Sequence, residues 1–532
     1  DAYSSGLLLS CEPARNTVFG YLPVPEGAGF KLERFNFLTT NVEEEFAGTD
    51  FKGGRTNKEE KTLFRPSDVL VGPDGAIYVS DWYDPRVGGH ADHDNTLSGA
   101  IYRVAPKGFK PSVPKIDLDS IAGQISALKS SAVNVRNLGF TRLKAKGKEA
   151  LPAVDAMLKE SQSYMAARAV FLLPHLGEEG IAATKKVLKG DDSRLRLAAL
   201  RALRRADQDI LPLAAALSKD PDPAVRRELA TSLRDVPIEQ AREHIVELAK
   251  GYDGVDRTYL DALGIACTKK ETLAYNAIGR AIGDADPAKW TTAFANIVWR
   301  LHPEKSAPML AMRAMAAGVS EAQRKAAVVA LAFISSKAGS DTMLTLAEKG
   351  SGRAKAEALW WLLNNKNHRW KEHGIIRSLT SRNIYDPRQV KLVPAVLPPP
   401  VEKTYKPIKE ILALKGDAQN GKQQVGRCYV CHKVGSVGVE FGPTLAGWGS
   451  GQDRETILKA ILDPSADLTH GYEGTELLVK GDKRIQGFVQ AEGDPLVVRV
   501  FGGDDIVVAA TDIKSRKKLN TSLMASASQL GL

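Results

Sequence analysis

Two thiols and an imidazole stand in one pentapeptide, Cys428-Tyr429-Val430-Cys431-His432. This is the attachment pattern of a c-type haem. The chemistry sets the spacing: two thiols must reach the two vinyl groups on one porphyrin edge, and two intervening residues let a single helical turn deliver both. The histidine that follows can then turn its imidazole toward iron as the proximal ligand. A zinc site would need two more thiol or imidazole ligands close by. Only Cys11 and Cys267 remain, far off in the chain, and they read as buried small hydrophobes, with a Cys11–Cys267 bridge as the alternative. One covalent haem c is therefore expected.

Phe441-Gly442-Pro443-Thr444-Leu445-Ala446-Gly447 follows the motif. The run resembles the cytochrome c family, in which Gly-Pro-x-Leu-x-Gly lies downstream of the attachment site. The resemblance implies that the Pro443 carbonyl accepts a hydrogen bond from the proximal imidazole and that Leu445 lines the haem. Such a bond fixes the ring and makes it a stronger donor to iron. Trp448 reads equally as cover for a haem edge or as core. For the distal position, Met524 is the one methionine after the motif; the other six sit in helical repeats, where Met fills core gaps. Leu519-Asn520-Thr521-Ser522-Leu523-Met524 is similar to the family's ligand loop. His470 is the competing ligand, or else a solvated loop histidine. The cofactor-binding set is thus Cys428, Cys431, His432, Pro443, Leu445 and Met524, with His432 and Met524 on the metal.

These residues need elements to hold them. Residues 410–532 read as a helical cytochrome domain, with Ile411 to Gly426 as the helix that delivers the motif. Between His432 and Met524, apolar or alternating runs at 476–479, 485–489, 496–501 and 506–509 are separated by Gly481-Asp482, Gly493-Asp494 and Gly502-Gly503. They predict a small β-sheet inserted into the domain. Residues 386–409, with Pro398-Pro399-Pro400, read as a stiff linker. Residues 115–385 read as an α-solenoid that closely resembles HEAT repeats. Val135-Arg136, Ala167-Arg168, Leu195-Arg196 and Val225-Arg226 recur about every 30 residues, and one helix pair cannot bury its apolar face alone. The recurrent arginine is expected to be an inter-repeat contact. Residues 1–110 read as short strands, with Gly72-Pro73-Asp74-Gly75 as a hairpin turn. They predict a partial β-propeller, about two blades where closure needs at least four.

The chain has 532 residues, 43% hydrophobic and 26% charged, with net charge +10. No run approaches the roughly 20 apolar residues of a membrane span. No zinc finger, aromatic RNA-binding signature or dense basic block accompanies the positive charge, so nucleic acid is not expected and an acidic redox partner fits better. No signal peptide is visible and residue 1 is Asp, as in a processed chain or a fragment.

The three modules together resemble a multidomain family of Planctomycetes and Verrucomicrobia that joins a membrane-bound dehydrogenase domain, HEAT repeats and a haem-binding domain. The resemblance rests on Leu9-Ser10-Cys11-Glu12-Pro13-Ala14-Arg15-Asn16, Phe64-Arg65-Pro66-Ser67-Asp68, the stretch Gly72 to Tyr83, Ile101-Tyr102-Arg103-Val104, Ile461 to Ala466 and Ser522-Leu523-Met524. It implies a propeller similar to quinoprotein sugar dehydrogenases, with pyrroloquinoline quinone as a second cofactor. It also implies oxidation of a sugar or alcohol and transfer of electrons through the tethered haem, outside the cytoplasm, to a soluble acceptor. The remaining blades would come from residues beyond this sequence or from another chain. Three departures stand out: most of the propeller is missing from the N-terminal side, Ala525 occupies the place of the family's Pro, and the closing helix is not found after Leu532. Within the first module, Arg65 and Asp68 are candidates to face a central pocket or to make an ordinary ion pair, and His90-Ala91-Asp92-His93-Asp94 mixes metal-ligand types. A scaffold whose haem serves a bound partner enzyme is the competing reading, and a haem enzyme or sensor with an open distal site is the third.

Overall fold

The computed structural model describes residues 6–41, 64–82, 99–160, 162–386, 391–393, 404–434, 437–445, 448–468, 471–492 and 494–532. The His90 to Asp94 loop, Pro398 to Pro400 and His470 lie outside them. Many helices and several small sheets make up the chain, in two compact units: Asp1–Gly283 with Thr292–Ile297, and Asp284–Thr291 with Val298–Leu532. No helix among the described residues is long and apolar enough to cross a membrane.

The first unit opens with strands β1 (Leu8–Glu12), β2 (Thr17–Glu26) and β3 (Gly29–Thr39), paired antiparallel in that order. Strands β4 (Pro66–Val71), β5 (Ile77–Asp81) and β6 (Ala100–Val104) form a second antiparallel sheet. The expected turn closes it: the Gly72 amide donates to Ala76 O at 2.8 Å, the Gly75 amide donates to Gly72 O at 2.9 Å, and Gly75 takes φ +85°. The ladder between β2 and β3 slips between Val18 and Phe19, paired with Leu38 and Asn36. Val18, Phe64 and Val79 form the shared core, with Cys11 packed against it. Arg65 is buried and ties the two sheets together: its guanidinium donates to Pro13 O at 2.8 Å and its amide to Asp81 Oδ1 at 2.7 Å. Asp68 is exposed and accepts from the amide of Val69. Arg65 therefore acts as a structural tie between the sheets.

The helices Ser163–Leu172, Ser193–Arg205, Pro223–Ser232 and Arg257–Ala266 then pack in sequence, each against the next. Asp192, Asp222 and Asp256 cap three of them by accepting first-turn amides, as short acidic side chains do. The repeated arginines bind this array together. Arg168 donates to Leu128 O and Lys129 O, and Arg226 to Pro221 O and Gly251 O. Arg196 forks onto both oxygens of Asp220, each at 2.8 Å. Arg168 thus gives donors to carbonyls at the end of an earlier helix, and Arg226 to one at the end of the next. Cys11 and Cys267 are both free thiols, so the alternative bridge is not formed.

In the second unit the helices Ala307–Met315, Glu321–Ala332, Lys337–Lys349 and Gly352–Asn365 pack each against the next. Strands β7 (Lys391–Val393), β8 (Lys433–Val434), β9 (Val437–Gly438), β10 (Thr475–Val479), β11 (Arg484–Ala491), β12 (Leu496–Val500), β13 (Asp505–Val508) and β14 (Ile513–Leu519) follow. Six make one sheet in the order β13-β12-β11-β10-β14-β7, around Leu477, Val479, Leu496, Val498 and Val508. The four strands expected between the motif and Met524 are present. Two were not foreseen. Strand β14 carries Lys514, Arg516, Lys517 and Lys518 among seven residues, too charged for an alternating apolar signal; Arg516 is neutralised by Glu492 and Lys514 by Asp482. Strand β7 pairs parallel with β14 from inside the stretch read as linker. The sheet expected as a small insertion thus has six strands rather than four, alongside short helices. The helix expected over 411–426 is broken into Ile408–Ala413 and Ala418–Gln424, because Gly416 interrupts it and Asp417 caps a new start.

Candidate functional site

The Val425–Cys428 turn leads into the motif as tight 3-10 backbone. The amides of Cys431 and His432 both donate to Cys428 O, at 3.1 and 2.8 Å, so the two thiols and the imidazole leave one continuous turn. Both cysteines are free and half-buried. Burial pushes both thiols up, Cys431 to about 11 with a further contribution from Cys428 beside it. They stay protonated at neutral pH, unlike the depressed thiols of metal-binding or disulfide-exchange sites. Among the described residues no three His, Cys, Asp or Glu side chains converge where one ion could be held.

His432 is buried, and its Nδ1 bonds Pro443 O at 2.6 Å. Since a carbonyl only accepts, Nδ1 carries a proton, and in the neutral ring Nε2 is then the nitrogen with the lone pair. No hydrogen bond from Nε2 occurs among the described residues. The loop that brings Pro443 round is strapped to the motif. Val439 donates to Tyr429 O, Phe441 to Cys431 O, and Leu445 to Lys433 O at 2.9 Å. Leu445 is half-buried in this loop, and Trp448 donates its amide to Leu445 O.

Two glycines permit this approach, and the sequence reading gave them no role. A Cβ on Gly442 would lie 2.7 Å from His432 Cε1 and 3.0 Å from Nδ1, so the backbone there rests against the imidazole. A Cβ on Gly438, at φ +93°, would strike His432 O. The signal was present in the glycines that bracket Val439 to Phe441, but glycine spacing alone does not say what comes close.

The chain's last segment returns to the motif. Leu523 shares a core with Phe441, Phe488 and Leu519, and Cys431 packs against it. Arg427, next to Cys428, donates to Leu530 O at 2.9 Å and Gly531 O at 3.0 Å. Met524 lies between these two anchors, half-buried, with its amide on Ser522 Oγ at 3.0 Å. Residues nearly a hundred positions apart in sequence are thereby assembled around the pentapeptide.

No protein-family model matches the chain, and no curated protein matches it. Among solved structures, an engineered protein shows 16% identity over 49% of this chain and 96% of its own, with a TM-score of 0.18. The complex of CpcE and CpcF of phycocyanin lyase from Nostoc sp. PCC7120 shows 16% identity over 52% of this chain and 100% of its own, also at 0.18. Likeness at that level carries no argument about fold or function.

Proposed function

We propose that this chain is an extracytoplasmic electron-transfer protein carrying one haem c. Cys428 and Cys431 form the thioether links, His432 Nε2 is the proximal ligand and Met524 the distal one. One observation carries the reading: His432 holds its Nδ1 proton on Pro443 O at 2.6 Å, beside two free thiols of the same turn. That is the donor set a covalent haem needs, with a basic nitrogen left over and its ring orientation fixed. When bound, haem supplies one-electron cycling between ferrous and ferric iron. The protein's own part is to orient His432, to bury it, and to offer each protonated thiol for addition across a vinyl double bond, S to carbon and H to the neighbouring carbon.

The test is retention of porphyrin after denaturation and extraction with acidic acetone. Covalent haem stays with the polypeptide, and complete extraction, or no Soret band in the purified chain, rules the reading out. Replacing Met524 with Ala is expected to lower the reduction potential and turn a low-spin ferric spectrum high-spin; an unchanged spectrum would reassign the distal ligand.

The electron source belongs to the same proposal. The two antiparallel sheets of residues 6–104 are the counterpart of quinoprotein propeller blades completed elsewhere, with pyrroloquinoline quinone as the oxidant of a sugar or alcohol. A soluble redox protein is the acceptor. Sugar-dependent haem reduction on addition of the quinone and a completing chain tests this part.

A second reading, a scaffold whose helical array holds partner proteins, is favoured by one contact. Asp256 Oδ2 accepts the Ala28 amide at 2.5 Å and Arg227 donates to Ala28 O, so the array already holds the backbone of one residue through both its amide and its carbonyl. Co-purification of a stoichiometric partner enzyme, without quinone-dependent activity, would select it.

A further inference from the structure

The loop Val439 to Pro443 is held on its inner side by the motif's own carbonyls. Its outer side rests on the sheet inserted between His432 and Met524. Three contacts make that seat. Phe488 of β11, 6% exposed, places its ring 4.8 Å from that of Phe441. Arg499 of β12 donates Nη1 to Glu440 O at 3.1 Å, while its Nε and Nη2 fork onto Asp505 at 2.9 and 3.2 Å. In the turn after β12, Gly503 lies so close to Val439 that a Cβ there would approach its Cβ to 3.2 Å.

We infer that Phe488 and Arg499 are positioning residues that set the His432–Pro443 hydrogen bond from outside the haem-binding motif. The inference rests on the haem reading above. Both side chains act on residues 440 and 441, directly before the glycine that lies on the imidazole and the proline whose carbonyl accepts its hydrogen bond. The loop cannot retreat while Phe441 is packed on Phe488 and the Glu440 carbonyl is tied to Arg499. Asp505 aims the guanidinium, so all its roles depend on the planar fork, which a lysine cannot reproduce. Through Nδ1, the seat controls how strongly the imidazole donates to iron, and hence which oxidation state is favoured. Loosening it weakens the Nδ1 bond, reduces donation and favours the ferrous state.

The experiment compares the full-length holoprotein with Phe488→Ala, Phe488→Leu and Arg499→Lys. The last keeps the charge, so a direct electrostatic effect on iron is held constant. Val507→Ala, at an exposed position of β13, is the control. Two quantities are read: the ferric/ferrous equilibrium by spectroelectrochemistry, and amide hydrogen exchange at Phe441 and Gly442, which needs no haem. The seat predicts a shift toward ferrous haem of roughly threefold for Phe488→Ala and Arg499→Lys, where tenfold would be 59 mV for one electron. It also predicts exchange at those amides faster by about tenfold, with Val507→Ala like wild type. Unchanged potential and exchange in folded Phe488→Ala and Arg499→Lys would overturn it. If Phe488→Ala does not fold, Phe488→Leu and Arg499→Lys decide. If the wild-type chain holds no covalent haem, the haem reading falls by itself, and the exchange measurement alone decides whether the sheet seats the loop.

Discussion

Arg196 in the helical array and His432 in the pentapeptide are buried to nearly the same degree, 9% and 7% exposed. Both belong to patterns that stand out in the sequence. Yet Arg196 commits its guanidinium to Asp220, Gly190 and Asp191, whereas His432 commits one nitrogen to Pro443 and leaves the other without a hydrogen bond among the described residues. A buried charge fully matched by partners serves cohesion. A buried ring oriented through one atom is the arrangement that the proposed haem ligation requires. Recurrence marks the first kind and spacing to other reactive groups marks the second.

Substitutions can break or sharpen this contrast. The largest effect is expected at the motif: replacing Cys428 and Cys431 together with Ala abolishes haem staining of the denatured chain, while Arg196→Ala leaves staining intact. Staining that survives the double cysteine change would erase the distinction. Next comes the array. Asp220→Ala strands Arg196 without its partner and is expected to destabilise the fold by about 3–5 kcal/mol, with Arg196→Met combined with Asp220→Leu close to neutral. Denaturant titration of all three variants checks this. Gly442→Ala forces the loop off the imidazole, with an overpacking cost of about 1–3 kcal/mol. It is expected to change the haem spectrum without altering the array, and a normal spectrum would show that the close approach is dispensable.

The smallest effect concerns Cys11, a half-buried thiol that serves the first unit's core and no ligand. Burial raises it to about 11, with Asp68 adding to the shift. The folded chain therefore holds this proton more tightly than the unfolded one. That contribution is whole below the ordinary thiol value and is lost as pH rises toward 11. Wild type should lose stability on going alkaline slightly faster than Cys11→Ser, by denaturation midpoints at successive pH values, with haem staining equal in both. Parallel pH profiles would show that the thiol is not desolvated.

Several local features of the molecule are legible in the order of its residues. The pentapeptide, the Gly72–Gly75 turn and the four strands between 475 and 508 all arise from residues within a few positions of one another. There, covalent spacing and backbone preference suffice. The same local logic failed at β14, whose charges hide a strand that exists because β10 and Glu492 receive it. It failed again at residues 411–426, where apolar content outweighed Gly416 and Asp417.

The amino-acid order alone determined that two thiols and an imidazole leave one turn, because a single turn of backbone admits little else. Tertiary structure decided which carbonyl receives Nδ1, which glycine lies on the ring, and that the segment bearing Met524 returns beside Cys431. Arg499 and Glu440 meet across 59 residues. Closing such a loop costs conformational entropy that no single contact repays, so these pairings follow from the packing of the whole unit.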